Sequence, residues 1–92
     1  MEQTERIAYF EELLTRVEAA SEALERALGD FEAAQGAAQA LADYYSGELW
    51  RRDFADDEAG RLPAELRRGV LSEDGIFYAL ERRRELRELL AP

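Results

Sequence analysis

Ile7-Ala8-Tyr9-Phe10-Glu11-Glu12-Leu13-Leu14-Thr15-Arg16-Val17-Glu18 opens the stretch on which the fold turns. With Ile7 at heptad position a, the a residues are Ile7, Leu14, Ser21, Leu28, Gln35 and Ala42. The d residues are Phe10, Val17, Leu24, Phe31, Ala38 and Tyr45. Apolar side chains repeating every three and four residues share one face of an α-helix, and a phase held over several heptads is the mark of a coiled-coil seam. Position g adds Leu13, Ala20, Ala27, Ala34 and Leu41, which widens the seam. Position e is a row of Glu11, Glu18, Glu25 and Glu32, followed by Gln39. Ser21 and Gln35 are polar at a positions, where they either set register between helices or reach water past small neighbours.

Gly29 and Gly36 both fall at position b, outside the seam, where each costs about 1 kcal/mol relative to alanine without disturbing the phase. One helix is therefore predicted over about 4–45, with a bend near Gly36. Ser46-Gly47 breaks it, and 48–58 reads as a second helix with Trp50 and Phe54 on one face, capped by Gly60. Pro63 suits the first turn of a brief helical segment over 63–68. Ser72 is a good N-cap, with Glu73 and Asp74 placed in the positive first turn of a last helix over 73–90. The fold class is all-α: a long N-terminal helix packed against a short middle helix and a C-terminal helix, as a helical hairpin or coiled-coil-like bundle.

The rest of the 92 residues narrows the class of protein. Apolar residues make up 47% and charged residues 36%, a composition that suits one small helical domain and not a disordered chain. Cysteine and histidine are absent, which removes disulfides and thiolate or imidazole metal sites. The N-terminus lacks the basic start and apolar run of a signal peptide, and no apolar stretch approaches the length that spans a bilayer. A cytoplasmic protein is expected, without a membrane partner. The net charge of -9 argues against holding nucleic acid by phosphate neutralisation.

Four aromatics, Tyr44, Tyr45, Trp50 and Phe54, are the candidate partner-binding residues. As a recognition surface they would anchor a helix or peptide; the plainer reading is a small core closing the elbow between the first two helices. Asp53, Asp56, Asp57 and Glu58 could in principle offer oxygen ligands to magnesium or calcium. They lack the glycine-centred loop of an EF-hand, so a solvated acidic face, partly neutralised by Arg51, Arg52 and Arg61, is the simpler account. In the last helix, Glu81 and Arg84, Arg82 and Glu85, and Arg84 and Glu88 are spaced for ordinary helix-stabilising pairs. Arg83 lies on the apolar side, between Ile76 and Leu90, and is expected to reach the glutamate row of the first helix as a structural ion pair. Without histidine, cysteine or lysine, catalysis would fall to carboxylates, hydroxyls or arginine, and no spacing singles out a set. The chain is read as not an enzyme, with no cofactor.

From Tyr44 the sequence runs Tyr-Tyr-Ser-Gly-Glu-Leu-Trp-Arg-Arg-Asp-Phe, then Asp57-Glu58-Ala59-Gly60-Arg61-Leu62-Pro63, then Arg68-Gly69-Val70-Leu71-Ser72-Glu73-Asp74-Gly75-Ile76. These stretches resemble an uncharacterised bacterial family of short acidic proteins, domain of unknown function 4298. The resemblance extends over nearly the whole chain, in pattern only toward the N-terminus. It implies membership and marks 44–76 as the signature region; it implies no activity.

Length suggests how the seam is used. About 39 residues of helix span roughly 60 Å, whereas a globule of this size is about 30 Å across. The last helix covers roughly 27 Å and the short one about 16 Å, so part of the seam is left for something else. Either the first helix breaks and folds back, or a second copy covers the remainder, and the unbroken phase favours the second copy. The expected function is a non-catalytic protein–protein interaction module forming a helical homodimer, whose partner is another protein or a second copy of itself. One alternative is an acidic mimic that occupies a nucleic-acid-binding protein, using the glutamate row as a negative stripe. Another is a carboxylate metal-binding protein built on Asp53, Asp56, Asp57 and Glu58.

Overall fold

A computed structural model describes residues 1–91. It is all-α, as the periodicity requires: α1 spans Gln3–Ala33, α2 Gln35–Tyr45, α3 Glu48–Glu58 and α4 Gly75–Leu90, with a short 3-10 turn at Gly69–Leu71. Among the described residues there is no strand. The chain divides into two compact units, Met1–Gln35 and the remainder from Gly36.

The first unit is α1. Its N-terminus is capped by Glu2, whose carboxylate accepts the Glu5 N–H at 2.6 Å while its carbonyl accepts from Arg6 at 2.9 Å. The first bond satisfies a group that a helix start otherwise leaves open, the second is the helix's own first turn, and the carboxylate sets negative charge at the positive end of the dipole. The helix was expected over about 4–45 with a bend near Gly36; the bend falls two residues earlier, at Ala34 between α1 and α2, which has φ -79° and ψ -1° and donates its N–H to Asp30 O at 3.1 Å. Neither glycine is itself the break. The interruption lies between Gly29 and Gly36, in a turn that carries Asp30 and Glu32 but no basic residue at the negative helix end. Two glycines and two unfavourable carboxylates within one stretch outweigh the continuity of the seam.

In the second unit, α2 ends where Ser46 Oγ donates to Ala42 O at 2.9 Å and Gly47 N–H donates to Tyr44 O at 3.1 Å. The end of α3 is closed by backbone bonds. Gly60 adopts φ +71°, its N–H reaches Asp57 O at 3.0 Å, and the Arg61 N–H reaches Asp56 O at 2.9 Å. That is a Schellman closure, and the left-handed backbone at its centre is the conformation that glycine adopts without penalty.

Residues 63–68, expected to be helical, form no helix. One turn closes with Leu66 N–H on Pro63 O at 3.2 Å, and Arg68 then turns back on it. The guanidinium donates to Pro63 O at 2.6 Å and to Leu66 O at 3.4 Å. A side chain thus takes carbonyls that a helix would have paired with its own N–H groups. Six residues beginning at a proline are also too few to nucleate a helix unaided.

The last helix also starts later than expected, at Gly75 instead of residue 73. The capping chemistry of Ser72 survives the shift: its Oγ accepts the Gly75 N–H at 3.1 Å and donates to Gly69 O at 2.9 Å. Both α3 and α4 pack on the 3-10 turn. Leu71, from that turn, and Ile76, from the first turn of α4, are the only buried apolar residues among those described. Gly75 lies close against the turn. A Cβ there would lie 2.7 Å from Gly69 O and closer still to Ser72 Oγ, so the position has no room for a side chain.

Candidate interaction surface

The four elbow aromatics come together in the second unit. Trp50 and Phe54 stack with centroids 5.1 Å apart, as their spacing on α3 directs, and Tyr45 meets Trp50 edge-on at 5.0 Å. All four are half-buried. The three polar handles are all used inside the unit. Tyr44 Oη donates to Asp53 Oδ2 at 2.6 Å, Tyr45 Oη to Glu73 O at 3.1 Å, and Trp50 Nε1 to Val70 O at 2.8 Å. The cluster therefore ties the α2–α3 elbow to residues 70–73. Bonding to the Asp53 carboxylate, helped by partial burial, pushes the Tyr44 phenol up to about 12.

The acidic cluster disperses. Asp53 accepts from Tyr44, Asp56 pairs with Arg61 at 3.0 Å, and Asp57 pairs with Arg68 at 2.6 Å. Three carboxylates thus turn to three different partners, although their spacing of three and four residues sets them on one side of α3. No group of three or more acidic side chains among the described residues could hold a metal ion. Arg61 neutralises part of the cluster as expected, and Arg51 lies 3.9 Å from Glu48 on its own helix. Arg68 is the arginine that sequence reasoning missed. Its role depends on two backbone carbonyls, which leave no trace in a pattern of side-chain types.

On α4, Arg84 pairs with both Glu81 and Glu88, as the spacing indicated. The Arg84 hydrogen bond holds the Glu81 carboxyl below its usual range, and the guanidinium is correspondingly raised. These pairs are solvated and stabilise the helix locally. Arg83 is half-buried on the same helix.

An exposed apolar face is formed by the seam of α1. Ile7, Phe10, Leu14, Val17 and Leu24 each expose between 52% and 65% of their surface, in phase along one face. Beside them Glu11, Glu18 and Glu25 form an exposed row. The segment 1–35 holds nine acidic residues against three arginines, Arg6, Arg16 and Arg26, a net charge of -6 out of the chain's -9. Gly29 and Gly36 have open space where a Cβ would project, in keeping with their place off the seam. No helix among the described residues is long and apolar enough to cross a membrane.

A family model described as a domain of unknown function, DUF4298, matches residues 7–91. The chain belongs to that family over nearly its whole length. No curated protein and no solved structure matches it.

Proposed function

We propose that this member of the DUF4298 family is a non-catalytic protein–protein interaction module that works as a helical homodimer, with the apolar face of α1 as its docking surface. One observation carries the reading: five large apolar side chains, Ile7, Phe10, Leu14, Val17 and Leu24, stand in heptad phase and more than half exposed. Helices in water draw most of their stability from packing such a face, and fully burying each side chain contributes roughly 1.5–3 kcal/mol. The elbow aromatics support the same division of labour, since their donors are spent on the second unit's own carbonyls and carboxylate.

The test is the mass of the full chain in solution across a concentration series. A dimer that becomes a monomer in the double variant Val17→Asp/Leu24→Asp, with helix content of the second unit retained, supports the reading. A wild-type chain that stays monomeric at all accessible concentrations overturns it. The charge of -6 on residues 1–35 favours one competing reading, an acidic mimic of nucleic acid. Rising salt weakens the complex of such a mimic with a basic protein and strengthens the pairing of two acidic helices, so the sign of the salt effect separates them.

A further inference from the structure

We infer that two copies of α1 pair in parallel and in register, with Arg6 of each copy beside Glu11 of the other. The inference rests on the homodimer reading and names the arrangement of its occupant, a second copy of this chain.

Charge placement carries the argument. In a parallel pair, each g residue lies beside the e residue five positions further along the second helix. Here that brings Arg6 to Glu11, an opposite-charge contact made twice. The next two such positions set Leu13 beside Glu18 and Ala20 beside Glu25, where the glutamate stems can lie over apolar groups with their carboxylates in water. The two glutamate rows then run on opposite flanks of the pair. In an antiparallel pair e faces e, and both rows would crowd one flank of helices only about 8–10 Å apart. None of the three α1 arginines is at an e position to relieve that repulsion.

Ser21 points the same way. It is the one polar residue at an a position between Ile7 and Leu28, and it is exposed on the seam. Parallel and in register, Ser21 meets Ser21 of the second copy and the hydroxyls can bond to each other. In an antiparallel pair a packs against d, and the hydroxyl would face Val17 or another apolar d residue. A parallel pair also puts both Ala34 residues at the same end, so that the second units follow from one end of the dimer.

The chain has no cysteine, so single-cysteine variants of the full protein report the geometry directly. Parallel in-register pairing predicts that Leu14→Cys and Leu24→Cys, each alone, oxidise to disulfide-linked dimers. An antiparallel pair with Ser21 against Val17 sets Leu14 against Leu24, and would instead link the two variants to each other in an equimolar mixture, and neither to itself. Should cysteine at these positions weaken association, a spin label on Glu5→Cys at the outer face reads the same distinction. The two labels sit at one level in the parallel pair and are separated by roughly 40 Å along the axis in the antiparallel one. As a charge test, Arg6→Glu is expected to raise the dimer dissociation constant about tenfold, and Arg6→Glu/Glu11→Arg to restore it. Dimers that cross-link only between the two variants, show widely separated labels, or gain nothing from the charge swap overturn the arrangement and leave the homodimer standing. A monomeric chain removes both.

Discussion

The indole Nε1 of Trp50 donates to the carbonyl of Val70 at 2.8 Å, and so pins the elbow helix α3 to the segment that leads into α4. Trp50→Phe keeps an aromatic ring for stacking on Phe54 and loses the donor with one ring of the indole. It should lower unfolding free energy by about 1 kcal/mol, the net worth of one such bond. Trp50→Ala, which also removes the ring from between Tyr45 and Phe54, should cost at least twice that. Chemical denaturation followed by far-ultraviolet circular dichroism checks both; a Trp50→Phe variant as stable as wild type would mean that the bond contributes nothing, and equal losses that the ring contributes nothing.

Alkaline pH tests the Tyr44–Asp53 contact. The phenol is pushed from 10.0 up to about 12 because its proton is held by the carboxylate. A folded-state value above the unfolded one means that the stabilisation is fully present below pH 10. It is lost as pH rises toward 12. Wild type should therefore exceed Tyr44→Phe in melting temperature at pH 8–9, and the gap should close as pH rises through that window. A gap that persists at the alkaline end would contradict the assignment.

Arg68 holds Asp57 at 2.6 Å and Pro63 O at 2.6 Å, with a side chain only 31% exposed. Arg68→Ala strands a half-buried carboxylate together with a backbone carbonyl, and should cost about 1.5–3 kcal/mol. Lysine has one nitrogen where this site uses a planar fork, so Arg68→Lys should recover less than half of the loss. Equilibrium urea unfolding of the three proteins gives the comparison.

Glycine-to-alanine substitutions should have opposite signs at two places. At Gly29 the added methyl meets open space in a helix, so the change should stabilise by about 0.5–1 kcal/mol. At Gly75 it meets Gly69 O at 2.7 Å, a backbone atom that cannot move without shifting the 3-10 turn. Crowding of this kind costs about 1–3 kcal/mol, more than the helix preference of alanine returns. Thermal melts of the two variants against wild type decide it.

Self-association should strengthen with salt. Two segments of net charge -6 repel each other, and raising sodium chloride from about 0.05 M to about 0.5 M shortens the screening length well below 10 Å. The dimer dissociation constant, measured by sedimentation, should fall over that range. A rise would contradict this, and would mean that attraction between opposite charges across the pair outweighs the repulsion of the two acidic segments.

Much of the fold was legible in the residues because its elements depend on local chemistry. The all-α class, the start of α1, the extent of α3, the closure at Gly60 and the cap from Ser72 follow from periodicity, propensity and capping groups close in sequence. The seam on α1 and the glutamate row beside it belong to the same kind of information, because a helix of known pitch sets which residues share a face. Tertiary contacts decided the rest. The Trp50–Val70 and Tyr45–Glu73 bonds end on backbone carbonyls, which every residue has, so no side-chain pattern announces them. The same holds for Arg68 on Pro63, which turned an expected helix over 63–68 into a turn. The interruption at Ala34 was decided by a balance of about 1 kcal/mol terms, the glycines and the unfavourable carboxylates against the seam, too fine for pattern alone to resolve. The sequence by itself determined that this protein has a long amphipathic helix with an acidic flank. Only the tertiary structure determined that the elbow aromatics spend their donors within the second unit, and that the large apolar residues of the N-terminal seam stand more than half exposed.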